Sequence, residues 1–384
     1  MKKQEEQLFA ATAPGLEGVC AAELTALGMA GVKAVAGGVE FCGALRELYL
    51  ANLWLRTASR VVVRFSELRC RDFPTLYRKA LQLPWGRYVK PGTRLQVRAT
   101  SRRSRLQHTE RIADTLQKAM ARALGGTTPE ENGPTQLLIV SLEDDLCRLS
   151  LDSSGELLHR RGYRQDVGAA PLRETLAAGI LMLLGWQGDQ PLFDPMCGSG
   201  TFLIEGALLA LKRPPGAGRQ FAFMGWPRYR QGLWKALLLE SAKQEKDSCP
   251  LLAGADRDAD VLNAARRNAD RAGVADYLSL QPLELSQQVS SPSSPGLALS
   301  NPPYGARLGR GELDDIYRDL GRVYRQVLPG WQRAFLCPDP RLAQITGLSL
   351  AQVAGLQNGG IRVGLFAARI QLASATGGFI PKNT

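Results

Sequence analysis

From about residue 166 the chain alternates short apolar runs with amphipathic runs of helical period, and this order constrains the fold more than any other feature. The pieces are QPLFDPM, a helical stretch from Thr201 to Leu211, LLAGAD, ADVLNAARRNADRAG, YLSLQP, GLALSNPPY, LDDIYRDLGRVYRQVL and WQRAFLCPD. Two strand-like runs, LSLAQVAGLQNGG and IRVGLFAARIQL, close the series. Strands joined through helices run parallel, because a crossover that holds a helix returns the chain to the same end of the sheet. The pattern predicts an α/β fold with a doubly wound, mostly parallel sheet and a terminal antiparallel hairpin. A ligand then belongs outside the C-terminal ends of the strands. An aromatic and basic insertion, 212–247, and a Ser/Pro-rich stretch, 286–296, interrupt the rhythm.

The first 165 residues have a different texture, with strands and helices in mixed order, as in an α+β module. The run HTERIADTLQKAMARALGG places Ile112, Leu116, Ala119, Met120 and Ala123 on one helical face and stops at Gly125-Gly126. A chain of 384 residues exceeds a single core, and its texture divides it at 1–58, 59–165 and 166–384. The formal net charge is +12, and residues 51–123 alone carry 17 Lys+Arg against 4 acids. A basic third points to a polyanion, RNA or DNA. Arg102, Arg103, Arg105 and His108 lie where a strand passes into a helix, and Arg160, Arg161 and Arg164 lie near the second boundary; phosphates are the expected target of both groups. Seven scattered cysteines without a CxxC pair, and only two histidines, His108 and His159, offer no metal-ligand spacing. The most apolar stretch, LAAGILMLLGW, is about half of the roughly 20 residues a membrane span requires, and the N-terminus lacks the apolar region of a secretory signal. The expectation is a cytoplasmic protein with no membrane partner.

Two motifs carry chemistry. In FDPMCGSGTFLIEGA a strand turns through Gly198-Ser199-Gly200 into a helix, so backbone amides and a helix N-terminus face a ligand. The third glycine of a dinucleotide fingerprint is missing, while Asp194 stands ready for an ammonium group; an amino-acid-bearing nucleoside fits better than a pyrophosphate. LLAGAD ends the next strand in Asp256, placed to accept both hydroxyls of a ribose. Its alternative role is a helix cap, which Asp258 could fill equally well. Further on, SNPPYGARL stops a strand with two prolines that cannot continue a ladder.

Together DPMCGSGTFLIEGA, LLAGAD and NPPYGARLG, with LHRRGYR at 158–164, APLRETLAAGIL at 170–181 and the basic ATSRRSRLQHT at 99–109, closely resemble the bacterial THUMP-domain RNA methyltransferases that modify guanine N2 of 23S rRNA. The resemblance runs nearly end to end. It implies a ferredoxin-like region over 1–58, a THUMP RNA-binding domain over 59–165, and over 166–384 a class I, Rossmann-like methyltransferase domain that uses S-adenosyl-L-methionine. It implies that Asp194, Pro195, Met196, Cys197, Gly198, Ser199, Gly200 and Thr201 surround the methionine part of that cofactor. Asp256, with Arg257, would lie at the ribose, and the segment Ala170 to Thr175 near the methionine end. Many class I enzymes place an Asp after the third strand for the adenine amine; here LSLQPLELS offers Gln281 and Glu284, of which Glu284 is the candidate.

The resemblance also implies a role for Asn301, Pro302, Pro303 and Tyr304. The Asn301 side-chain carbonyl and the Pro302 carbonyl would accept N–H groups of an exocyclic amine and orient it, which is positioning and electrostatic preorganisation rather than general base catalysis. Tyr304 would stack on a base drawn out of its helix; the alternative is that it packs on a neighbour. Cys197 lies inside the cofactor loop and reads as a small lining residue, not a nucleophile. NPPY alone specifies an exocyclic amine, so adenine N6 stays open beside guanine N2, as do transfer RNA as substrate and a non-catalytic RNA-binding assembly factor.

Overall fold

The structure is a computed structural model that describes residues 5–126, 133–166, 172–291, 294–304 and 309–368. Two seven-stranded sheets organise it. The first is built from β1 (Glu6–Thr12), β2 (Ala30–Val35), β3 (Gly38–Gly43), β4 (Ala58–Arg69), β5 (Arg94–Arg102), β6 (Thr135–Glu143) and β7 (Leu146–Asp152), in the order β2-β3-β1-β4-β7-β6-β5. All its pairs are antiparallel except β5 with β6. The long β4 pairs with β1 on one side and β7 on the other, so the residues before and after position 58 share one sheet and one core. Helices α1 (Glu17–Ala26), α2 (Leu45–Trp54), α3 (Phe73–Leu81) and α4 (Thr109–Ala123) belong to this module. The amphipathic period read for α4 holds for Ile112, Leu116, Ala119 and Met120, which are buried, but not for Ala123, which is exposed at the end of the helix.

After α5 (Glu174–Leu183) comes the second sheet, with β8 (Leu192–Asp194), β9 (Leu252–Asp256), β10 (Leu278–Pro282), β11 (Leu297–Ser300), β12 (Gln332–Cys337), β13 (Ala351–Asn358) and β14 (Ile361–Ala367), in the order β10-β9-β8-β11-β12-β14-β13. Its first five strands in sequence are parallel, and β14 and β13 add the antiparallel hairpin read from the sequence. Helices α6 (Thr201–Ala210), α7 (Gln231–Ala242), α8 (Ala259–Arg271), α9 (Arg310–Arg322) and α10 (Pro340–Ile345) complete the order. The apolar faces of α6, α8, α9 and α10 and the strands form two clusters, one on each face of the sheet, as double winding requires.

The insertion at 212–247 does not stay with the second sheet. Phe221, Phe223, Trp226, Trp234 and Leu237 are buried in the core of the first module. Phe223 stacks on Tyr49 with ring centroids 4.4 Å apart, the Trp226 indole N–H donates to Gln136 at 2.8 Å, and Arg228 ion-pairs with Glu6. Its aromatic content is therefore core for the other half of the chain, and the two modules interlock.

Candidate active site

The chain lays down β8 first, moves outward through β9 and β10, and then returns to place β11 on the other side of β8. That reversal opens a crevice at the carboxyl ends of the strands. Ala298 stands opposite Phe193, and Asp194 opposite Gly254, so Asn301, Asp194 and Asp256 come to one edge from three neighbouring strands. They line a cleft of about 340 Å³ together with Pro195, Met196, Cys197, Gly198, Ser199, Thr201, Arg257, Glu284, Pro302, Pro303 and Tyr304. Two residues expected at the ligand are not in its lining. Gly200 is the left-handed N-cap of α6 (φ +78°), where a Cβ would press on Ala265 at 3.2 Å; it is needed for the turn and the packing of α8. Thr175 is buried in the first turn of α5, and Leu172 reaches the cleft instead. Ala170 and Pro171, the start of the segment expected near the methionine end, lie outside the described residues.

The loop is held by the strands it leaves. The Met196 amide donates to Asp194 at 3.0 Å, the Cys197 amide to the Ala255 carbonyl at 2.9 Å, and the Gly198 amide to Asp256 at 2.9 Å. Gly254 makes room for it, since a Cβ there would lie 2.5 Å from Leu203 and 3.0 Å from the Cys197 sulfur. The cap question at α8 is resolved: Asp258 accepts the Asp260 and Val261 amides, and Asp256 is left to face the cleft. Each oxygen of Asp256 takes one backbone amide, from Gly198 and from Asp258 at 3.1 Å, and a carboxylate oxygen has a second lone pair to offer.

Among the described residues, charge in the cleft is one-sided. Asp194, Asp256, Asp258, Glu284 and Asp319 line it, against Arg257 as the single arginine among the described lining residues. Phosphates would be repelled, whereas a ligand with positive charge and hydroxyl groups is matched. Asp194 is buried, and burial, reinforced by Asp256, holds its carboxyl well above the usual carboxylate range. Such a group gains most from a cation brought to it. Burial and the same two acids push the Cys197 thiol up as well, which keeps it protonated and unfit as a nucleophile. The side-chain oxygen of Asn301 is buried and has no hydrogen-bond partner among the described residues, a cost tolerated where a ligand supplies the donor. Tyr304 is half-buried: it packs against the core, and its hydroxyl accepts from Asn358 at 2.8 Å, yet it also lines the cleft. The packing reading of Tyr304 holds, with the ring anchored at its tip and bordering the cleft. The third-strand question divides too, since Glu284 turns to the cleft and Gln281 to a separate groove. Sequence reasoning did not find Ile316 and Asp319, which reach the cleft from α9; their spacing of three is common to any amphipathic helix and carries no signal of its own.

The basic residues sort into two kinds. Arg102, Arg105 and His108 are exposed at the end of β5 and the start of α4. Arg103 is exposed but bridges Glu143 at 2.6 Å and Asp144 at 2.9 Å, and Arg160 pairs with Glu156 at 2.8 Å. The expectation of phosphate contact fails for Arg161 and Arg164. Arg161 is buried against Glu205 at 3.4 Å and donates to the Arg56 carbonyl at 2.7 Å, and Arg164 is held by Glu174 at 3.1 Å. Some of the charge counted in 51–123 is interior as well: Arg56 caps the Leu208 and Arg213 carbonyls near the end of α6, and Arg60 pairs with Asp152.

Comparison with known proteins agrees with this architecture. Residues 161–364 match the RMKL-like methyltransferase domain, 7–62 the RlmL ferredoxin-like domain and 70–152 the THUMP domain. The chain belongs to this methyltransferase family. Within it, a putative RNA methyltransferase of Synechocystis is 36% identical over 92% of this chain and 94% of its own length. The ribosomal RNA large subunit methyltransferase K/L of Syntrophotalea carbinolica is 37% identical over 92% of this chain and 52% of its own, so the chain spans about half the length of that relative. Among solved structures, a putative methyltransferase complexed with S-adenosylhomocysteine superposes with a TM-score of 0.88, at 32% identity over 97% of this chain and 100% of that one. A predicted N6-adenine-specific DNA methylase from Listeria monocytogenes gives 0.87, at 30% identity over 95% and 96%. The chain is thus a methyltransferase of this family that uses S-adenosylmethionine, and the acidic, hydroxyl-accepting cleft fits that cofactor.

Proposed function

We propose that this methyltransferase modifies the exocyclic N2 amine of a guanosine in 23S ribosomal RNA. The observation that carries the amine is the buried carbonyl of Asn301, which has no partner among the described residues and stands at the strand reversal beside Asp194 and Asp256. The choice of ribosomal RNA rests on the K/L relatives, and the choice of guanine on the family resemblance.

The cofactor supplies an electrophilic methyl group on a sulfonium. The Asp194 carboxylate would hold its ammonium group, the amides of Ser199 and Thr201 at the mouth of α6 would favour its carboxylate, Asp256 would accept the ribose hydroxyls, and Glu284 would face the adenine. Guanine N2 is a weak nucleophile because its lone pair is delocalised into the ring. Asn301 and the Pro302 carbonyl accept its two N–H groups, turning the amine toward the methyl and stabilising positive charge as it develops. The prolines keep that carbonyl in place because neither has an amide to draw the backbone into a ladder. Tyr304 forms one wall of the base slot, and its anchored hydroxyl holds the ring plane. Arg102, Arg105 and His108 take RNA phosphates and give affinity without sequence choice.

Transfer of labelled methyl to 23S, 16S and transfer RNA, followed by mass spectrometry of the nucleosides, tests this reading. N2-methylguanosine in 23S rRNA is the expected product. The Listeria relative's name favours a second reading, and N6-methyladenosine would establish it. No transfer, together with no binding of S-adenosylmethionine in a calorimeter, would leave an RNA-binding assembly factor.

A further inference from the structure

The residue that precedes Asn301 is gripped from outside the motif. Ser300 ends β11 with no exposed surface, and its hydroxyl lies 2.6 Å from that of Tyr324. Tyr324 is equally buried and donates to the Ala334 carbonyl of β12 at 2.9 Å. A tyrosine has one proton to give, so Ser300 is the donor in the first bond and the chain runs Ser300 to Tyr324 to Ala334. Asp194 is near enough to add to the burial that raises the Tyr324 hydroxyl.

Two features make this grip more than ordinary packing. Beyond Ala298 the strand has no registered partner on β8; Leu299 and Ser300 pair only with β12, and the two prolines that follow Asn301 have no amide. The Ser300 bond is therefore a polar anchor placed immediately before the acceptor. Tyr324 also sits in a π-helical turn, Val323–Val327, that follows α9 and is closed by the Leu328 amide on the Val323 carbonyl at 3.1 Å. Such turns occur frequently at functional sites. The turn before it packs closely on the end of α10, where a Cβ at Gly321 would overlap the Thr346 carbonyl oxygen.

We infer that Tyr324 is a positioning residue for methyl transfer, setting the place of the Asn301 carbonyl through Ser300. The inference rests on the proposed role of Asn301. Displacing a reacting group by about 1 Å costs on the order of 100-fold in rate.

The test compares the full chain with Tyr324→Phe, Ser300→Ala and the double variant, by methyl transfer to RNA, cofactor binding and thermal unfolding. Tyr324→Phe is expected to lower kcat at least about tenfold while KM for RNA and Kd for S-adenosylmethionine stay within about twofold. In the double variant neither hydroxyl is orphaned, so the melting temperature recovers toward wild type while kcat stays low. A merely structural role predicts the opposite, with kcat returning together with stability, and that result overturns the inference, as does full kcat in Tyr324→Phe. Should Tyr324→Phe fail to fold, Ser300→Ala, which leaves Tyr324 bonded to Ala334, carries the same expectation. Absence of transfer by the wild type overturns the functional reading and this inference with it, whereas equal transfer by wild type and Tyr324→Phe overturns the inference alone.

Discussion

The cleft and the junction between the modules both bury polar groups, but they satisfy them differently. At the junction Arg161 meets Glu205, Arg164 meets Glu174, and Arg56 meets two carbonyls of the α6 end. In the cleft Asp194 is bonded to a backbone amide of its own loop, with no cation in reach among the described residues, and the Asn301 carbonyl meets no donor. A buried charge is costly unless paired, so matched charges hold modules together while unmatched ones mark where a ligand must complete the set.

The largest test of this contrast is Arg161→Ala, which leaves Glu205 buried without its guanidinium. We expect a loss of about 3–5 kcal/mol in a urea titration, with residual activity tracking the folded fraction. A loss below about 1 kcal/mol would mean the junction pair is not structural. Asn301→Ala should behave inversely, with kcat down about 100- to 1,000-fold and stability within about 0.5 kcal/mol of wild type, because the acceptor removed has no partner among the described residues. Retained turnover would break the amine assignment. Asp194→Asn should weaken cofactor binding by about 1.5–3 kcal/mol without lowering stability. The same residue fixes a pH dependence. Its folded pKa is raised, so its carboxyl ionises at higher pH than an exposed aspartate, and an ammonium brought to it favours the ionised form. Cofactor affinity should rise with pH as that carboxyl ionises, up to the α-amino pKa of about 7.7–8.0, with proton release visible as buffer-dependent binding enthalpy. The smallest effects belong to the RNA face. Arg102→Ala or Arg105→Ala should each reduce the salt slope of RNA binding by about 1, and Arg103→Ala by less, since the acidic turn already occupies it.

These differences mirror what could be read without a structure. Asp194, Asp256 and Asn301 were legible because each directly follows an apolar strand, and in a doubly wound sheet the strand ends converge by topology alone. Arg161 and Arg164 were misjudged because composition counts a charge without showing its partner; Glu205 and Glu174 lie 44 and 10 residues away in sequence. The same limit hid the destination of Phe221, Phe223 and Trp226, whose aromatic rings fill the core of the other module. It also concealed Ile316 and Asp319, which sit on a helix of ordinary amphipathic period.

The sequence by itself thus determined the parallel sheet, the terminal hairpin, the glycine loop and the residues at the strand ends, because periodicity and turn chemistry are local. Only the tertiary structure decided which arginines meet solvent, that β4 joins two halves into one sheet, and that Tyr324 reaches Ser300. Those outcomes depend on groups far apart in the chain, whose burial and pairing energies exist only once the elements are packed.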